Sequence, residues 1–176
     1  MRFCFLISLI FFSCSNDPAI VKEFISFDDL PVEKMKDAEI IHTEFGIMKV
    51  KVIANNIERF QNQQPHLILS NGLKVIFYND TVMKSNLEAQ YAEINEKEKI
   101  MKASNNVVLT SSDGKRLATE ELIWDEKENK IYTNKKIVIT TKKEIIEGEG
   151  FVSNPDFTEY SISKVHGTFD FGTSTE

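Results

Sequence analysis

The sequence predicts an all-β fold, an antiparallel sandwich or jelly roll. Three observations predict it: apolar residues alternate by two, turn residues punctuate the chain at short intervals, and a unit of about thirty residues repeats.

Alternation comes first. Met48, Val50 and Val52 alternate with Lys49, Lys51 and Ile53, and Leu73, Val75 and Phe77 alternate with Lys74, Ile76 and Tyr78. Val107 and Leu109, then Ile137 and Ile139, keep the same period. Successive side chains of a strand point to opposite faces, so each run offers one apolar face for burial. Ser70-Asn71-Gly72, Asn79-Asp80, Ser112-Asp113-Gly114 and the stretch from Asp125 to Lys130 separate the runs. Asn, Asp and Gly tolerate the positive φ that tight hairpins require. A short helix over Val32 to Ala38 is the one helical stretch expected, because no long amphipathic pattern occurs.

The repeat strengthens the assignment. Ala89, Ala92, Ile94 and Asn95 recur as Thr119, Leu122, Trp124 and Asp125. Ile100 and Lys102 recur as Ile131 and Thr133 after one inserted residue, and Val107, Leu109 and Thr110 recur as Ile137, Ile139 and Thr140. Each unit reads as strand, charged tip, strand, turn, strand. The steps from Ala89 to Ala92 and from Thr119 to Leu122 span three residues where alternation demands two. Such a step predicts a bulge, which makes a long strand curl. Stacked hairpins of this kind share one interior.

Composition narrows the function. The chain has 176 residues, 41% of them hydrophobic, with thirteen Phe, which suits one domain plus short appendages. Its formal charge is −6, so phosphate backbones and anionic headgroups are repelled; nucleic-acid binding is disfavoured. No GxxxxGK[ST] occurs, and Gly148-Glu149-Gly150 lacks the third glycine of a dinucleotide loop. His42, His66 and His166 are far apart and read as ordinary edge or surface residues. The carboxylates around Asp125-Glu126 and from Glu144 to Glu149 fall at hairpin tips and strand ends, where charge is expected for solubility. No serine sits in a GxSxG setting, and the run Glu96-Lys97-Glu98-Lys99 is a solvated tip. No catalytic, metal or cofactor site is expected.

The N-terminus carries a targeting signal. Met1-Arg2 is a minimal positive region, and Phe3 to Phe12 are almost wholly apolar. A ten-residue run is about half of what spans a bilayer as a helix, so it reads as the apolar part of a signal peptide. Ser13 and Cys14, followed by Ser15-Asn16-Asp17-Pro18, resemble a lipobox, although Phe11 and Phe12 replace its usual Leu and small residue. The resemblance implies acylation of Cys14, cleavage before it, and anchoring by more than one acyl chain. The expected organisation is a signal peptide over 1–13, a lipidated tether over 14–38, a β-domain over 39–172 and a tail over 173–176. Cys4 would be discarded, leaving no thiol for a disulfide.

With these residues in view, the stretch from Leu69 to Gly167 resembles the LptC family of lipopolysaccharide export proteins. The text that carries the resemblance is SNGLKVIFYND (70–80), SNLEAQYAEI (85–94), NNVVLTSSDGKRLATEELIWD (105–125), IYTNKKIVIT (131–140) and IEGEGFVSNPDF (146–157), with TEFGIMKVKVIA (43–54) upstream. It is similar to the lipoprotein versions of the Bacteroidetes branch, where a lipid replaces the transmembrane helix of many members. The resemblance implies an elongated, twisted β-jelly roll, open along one side, in the periplasm and anchored to the inner membrane. It implies a role in binding and passing on lipopolysaccharide or lipooligosaccharide. The N-terminal edge, about Ile41 to Val52, would dock on the periplasmic β-domain of the export transporter. The C-terminal edge, about Tyr160 to Phe169, would receive an LptA-like bridging protein.

The groove-lining residues expected on that basis are Met48, Val50, Val52, Val75, Phe77, Ala89, Ala92, Ile94, Val107, Leu109, Leu122, Trp124, Ile137 and Ile139, with Leu73, Ile100 and Ile131 on the same inward row. An inward apolar row is also the core of any sandwich, and alternation alone does not separate the two. Trp124 reads as core because its repeat partner is Ile94. Two other functions fit an anchored β-domain: an LptA-like bridge, and a glycan-binding sandwich with an exposed aromatic platform. The anchor is testable. Cys14→Ser moves the chain from the membrane to the soluble fraction on cell fractionation; a variant that stays membrane-bound and works normally rules the lipid anchor out.

Overall fold

The computed structural model describes residues 30–79 and 81–166. The expected signal peptide, Cys14, most of the tether and the 173–176 tail lie outside them. Nine strands follow one another: β1 Glu33–Glu44, β2 Ile47–Arg59, β3 Leu67–Asn79, β4 Val82–Asn95, β5 Ile100–Ser111, β6 Arg116–Asp125, β7 Lys130–Thr140, β8 Ile145–Ser153 and β9 Tyr160–His166. They form one sheet in sequential order, each strand antiparallel to the next. The sheet is open, with β1 and β9 as its edges. The all-β expectation holds.

Particular elements differ from expectation. The segment Val32–Ala38 is not helical: β1 begins at Glu33 and pairs with β2 from Glu33↔Arg59 onward. The sheet therefore starts inside the segment read as tether, because Met35, Ala38 and Ile40 have apolar neighbours to cover. The N-terminal edge is β1 alone, since Val50 and Val52 lie on β2, which is bonded on both sides. The C-terminal edge is β9, ending at His166; residues 167–169 of the expected edge lie outside the described residues. No residue is inserted in the second repeat unit. Asn95 pairs with Ile100 as Asp125 pairs with Lys130, so the inward partners of Ile131 and Thr133 are Met101 and Ala103. Ile100 is only half-buried, beside the turn.

Ser70-Asn71-Gly72 is not a turn but lies inside β3, with Asn71 at φ 64° and Gly72 at φ 103°. Positive φ serves a bulge as well as a hairpin. Register shifts between Ser70 and Leu73 on β3 and between Glu88 and Tyr91 on β4. It shifts again between Ser104 and Val107 on β5, Thr119 and Ile123 on β6, and Thr133 and Lys136 on β7. These include the bulges expected at Ala89–Ala92 and Thr119–Leu122. They form a seam across the middle of the sheet, along which the strands bend.

The bend rolls the sheet. In a flat sheet β3 and β6 lie about 14 Å apart, three strand spacings. Here Phe77 of β3 meets Trp124 of β6 edge-to-face, with ring centroids 5.2 Å apart. Ser85 of β4 likewise donates to the carbonyl of Pro155, beyond β8, at 2.5 Å. One continuous core results. Ile57, Leu69, Val75, Leu109, Leu117, Leu122, Ile131 and Ile139 are essentially inaccessible. Each such side chain contributes roughly 1.5–3 kcal/mol relative to exposure. Arg59 ties the first strands together by binding Glu33 at 3.2 Å and Glu96 at 2.9 Å. The Glu96 hydrogen bond, outweighing the desolvation that opposes it, raises the guanidinium pKa above its ordinary value.

The last strand depends on a glycine. A Cβ on Gly148 would come within 2.6 Å of both the Ile162 side chain and the Lys164 carbonyl of β9. Such an overlap costs typically about 1–3 kcal/mol. Gly148→Ala is therefore expected to push β9 off β8. Hydrogen exchange should accelerate in Tyr160–His166 while the amides of β4 to β6 keep their protection; unchanged exchange in β9 contradicts this account.

Candidate functional site

The inward side chains leave part of the roll unfilled. Val50 and Phe77 form the apolar wall of a cavity of about 450 Å³, bounded by Trp124 and Pro155 and rimmed by His42, Glu44, Lys49, Glu126, Asn129 and Asp156. A smaller cavity of about 280 Å³ lies against Val52, Ile94 and Met101, with Asn95, Glu96 and Lys99 at its rim. His42, Trp124 and Glu126 border both. Volumes of this order suit a small ligand or part of a larger one.

The elements that place these groups are clear. Alternation along β1 puts His42 on the same inward side as Ile40. Glu126 follows the end of β6, in a tip fixed by Asp125, whose carboxylate accepts from the Glu128 N–H at 2.9 Å. Rolling the sheet brings that tip against β1, so His42 Nε2 lies 3.9 Å from carboxylate oxygens of both Glu44 and Glu126. That distance is too long for a hydrogen bond. His42 Nε2 and Trp124 Nε1 are buried without a hydrogen-bond partner, as is His66 Nδ1. A buried polar group left unpaired costs about 1–3 kcal/mol. Lys99 closes the cluster by donating to Glu126 at 2.5 Å, and that hydrogen bond raises the pKa of its ammonium.

The loop between β8 and β9, whose Pro155 and Asp156 border the larger cavity, plugs the roll there. Phe157 is wholly buried there, at φ 55°, and its ring lies 5.6 Å from Phe151 and 5.5 Å from Tyr160. The Lys115 ammonium sits 5.4 Å from the Phe157 ring centroid. Buried hydroxyls have conventional work. Thr119 donates to the Lys136 carbonyl at 2.8 Å, Ser153 to the Asn154 carbonyl at 2.8 Å, and Thr133 Oγ1 accepts from the Lys135 N–H at 3.1 Å. Ser111, also buried, donates to the Asp113 carboxylate within the β5–β6 turn. Among the described residues no cluster of three or more His, Cys, Asp or Glu is arranged to hold a metal.

The expected groove residues divide in two. Val50, Phe77 and Trp124 line the larger cavity, and Val52, Ile94 and Trp124 the smaller. Val75, Ala89, Ala92, Val107, Leu109, Leu122, Ile137 and Ile139 are buried in the common core, and Met48 is half-buried near the β1–β2 turn. Met101, Ala54, Ile57, Leu67, Leu69, Leu87, Ala103, Leu117, Phe151 and Phe157, none of them among the expected lining residues, are also buried. His42 and Glu126, expected as ordinary surface groups, border both cavities. The alternation with Ile40 marks His42 as inward-facing; nothing in the sequence marks Glu126 as its neighbour.

Removing the plug is informative. Phe157→Ala deletes a fully buried ring and is expected to cost about 3–5 kcal/mol. The thermal midpoint should fall on the order of 10 °C. A change of only a degree or two would mean that the loop is not a structural closure.

Among the described residues no helix is long and apolar enough to cross a membrane. No curated protein matches the chain. The sequence model of a protein family described as "Lipopolysaccharide-assembly, LptC-related" matches residues 6–170.

Proposed function

The chain belongs to the LptC family, a component of lipopolysaccharide transport associated with the periplasm and inner membrane of Gram-negative bacteria, and from that membership we propose a lipid-anchored relay. On this reading Cys14 carries the anchor and the tether holds the roll close to the membrane. The roll takes lipopolysaccharide, or its shorter form, from the inner-membrane transporter and passes it to an LptA-like bridge. The work is binding and transfer, without a chemical step.

The observation that carries the proposal is an open, rolled sheet with an apolar interior and, among the described residues, an edge strand at each end that is paired on one side only. The physical need is plain. Each CH₂ exposed to water costs roughly 0.8 kcal/mol, so a lipid with several acyl chains must be shielded across an aqueous compartment. Edge strands provide the continuity. A partner strand added to β1 extends the sheet toward the transporter's β-domain, and one added to β9 extends it toward the bridge. Val50, Phe77 and Trp124, beside the larger cavity, are then the first of the apolar residues to meet an acyl chain; Val107, Ala92 and Ile139 continue the row. An acidic surface leaves the acyl chains as the natural handle for an anionic cargo.

Photo-crosslinking amino acids test this in cells. Val50, Phe77, Ala92, Val107 and Ile139 are expected to yield lipopolysaccharide adducts, strongest at Val50 and Phe77, while the outward Lys74 and Val138 yield none. If no inward position captures lipid, the transport role is refuted for this groove. Depletion should in parallel reduce lipid A in the outer leaflet.

A further inference from the structure

The two cavities share His42, Trp124 and Glu126 as lining residues. We propose that they are the two halves of one acyl-chain site, and that His42 and Glu126 form a movable partition between them. This inference rests on the lipid-binding reading above and adds how the site opens. His42 projects from β1 and Glu126 from the tip after β6, with His42 Nε2 3.9 Å from a Glu126 carboxylate oxygen. Trp124 lies against both cavities, so the chain's single tryptophan reports on either side of the partition.

Three features make the contact movable. First, β1 is an edge strand, held by hydrogen bonds to β2 on one side only. Second, the β1–β2 register slips by one residue between His42 and Thr43, so the ladder is already irregular at the contact. Third, the closed arrangement buries His42 Nε2 and Trp124 Nε1 without acceptors. Groups left in that state favour any arrangement in which they reach an acceptor. Displacing His42 joins Val50 and Phe77 on one side to Val52, Ile94 and Met101 on the other. The joined surface has an apolar floor of Val50, Phe77, Trp124, Val52, Ile94 and Met101 inside a rim of charged and amide side chains, which suits part of one acyl chain. A strand docking on β1 acts on the element that carries His42, so partner binding and site opening become coupled.

The test uses the full-length chain in lipid nanodiscs, titrated with stearic acid brominated at mid-chain, which quenches tryptophan fluorescence on contact. If the closed form is the more populated, apparent affinity is reduced by the open fraction. His42→Ala and Glu126→Ala should each tighten the quenching midpoint by at least roughly threefold. The double variant should gain no more than the better single one, since both remove the same contact. Ile41→Ala, on the outward face of β1, should leave the midpoint unchanged. Equal midpoints in all forms overturn the partition while leaving lipid binding intact. A gain in Ile41→Ala equal to that in His42→Ala also overturns it, because loosening of the strand then explains the effect. No quenching in any form overturns the partition and the lipid-binding reading together.

Discussion

A row of one-residue register slips across the strands, from Ala54–Asn56 on β2 to Thr133–Lys136 on β7, turns a meander into a container. Nine long strands paired in sequence would otherwise make a broad twisted sheet with one large apolar face in water. Each slip bends its strand and increases its twist. Placed side by side, the bends let one part of the sheet close over another, and the apolar faces cover each other. The backbone cost is modest because the residues at positive φ there are Asn71, Gly72, Asn105 and Asn106. Asparagine and glycine occupy that region with little strain. The aromatic contact of Phe77 with Trp124, the Ser85–Pro155 hydrogen bond and the His42–Glu126 approach all follow from this bend.

The same constraint explains why the edges remain open. A sheet that bends at mid-strand covers its apolar face without β1 reaching β9, so closure of the ladder is not needed for stability. Open edges invite aggregation, and the chain guards them with charge. Lys34, Lys36 and Glu39 line β1, and Lys51 and Glu58 of β2 pair with Glu39 and Lys34. Lys164 of β9 lies near Glu149 of β8. Surface pairs of this kind contribute little to stability. Their value lies in discouraging indiscriminate strand pairing while leaving the edge available to a partner of fitting charge.

Much of this fold is legible in the chain because period-two alternation reflects a local geometric fact. Val75 and Phe77 are inward because their neighbours are outward. The three-residue step from Ala89 to Ala92 betrays a bulge for the same reason. Asn71-Gly72 was ambiguous in principle: positive φ suits a turn and a bulge alike, and only the pairing of Leu67 and Leu69 with β4 decides. The cavities were not legible. They depend on which tip the roll brings against β1, a relation between residues 42 and 126 that no local pattern encodes. Nor does alternation tell Val50, beside a cavity, from Leu109, sealed in the core, because both face the same interior.

That mixture of sealed core and free volume bears on how a relay has to work. A bare apolar trough in water would expose the surface whose burial holds the sheet together. In the roll, apolar residues of facing parts of the sheet cover each other, and the two cavities that share Trp124 both border β1. On the transport reading, an arriving acyl chain replaces side-chain contacts with chain contacts of similar dispersion energy. The net gain per chain is then smaller than the full transfer from water. Weak binding is what a carrier between two partners requires, since cargo held with the whole hydrophobic energy would not leave. The small inward residues Ala54, Ala89, Ala92 and Ala103 fit this logic. They let the facing layers approach closely when empty, and a modest separation of those layers at the same positions makes room for a chain.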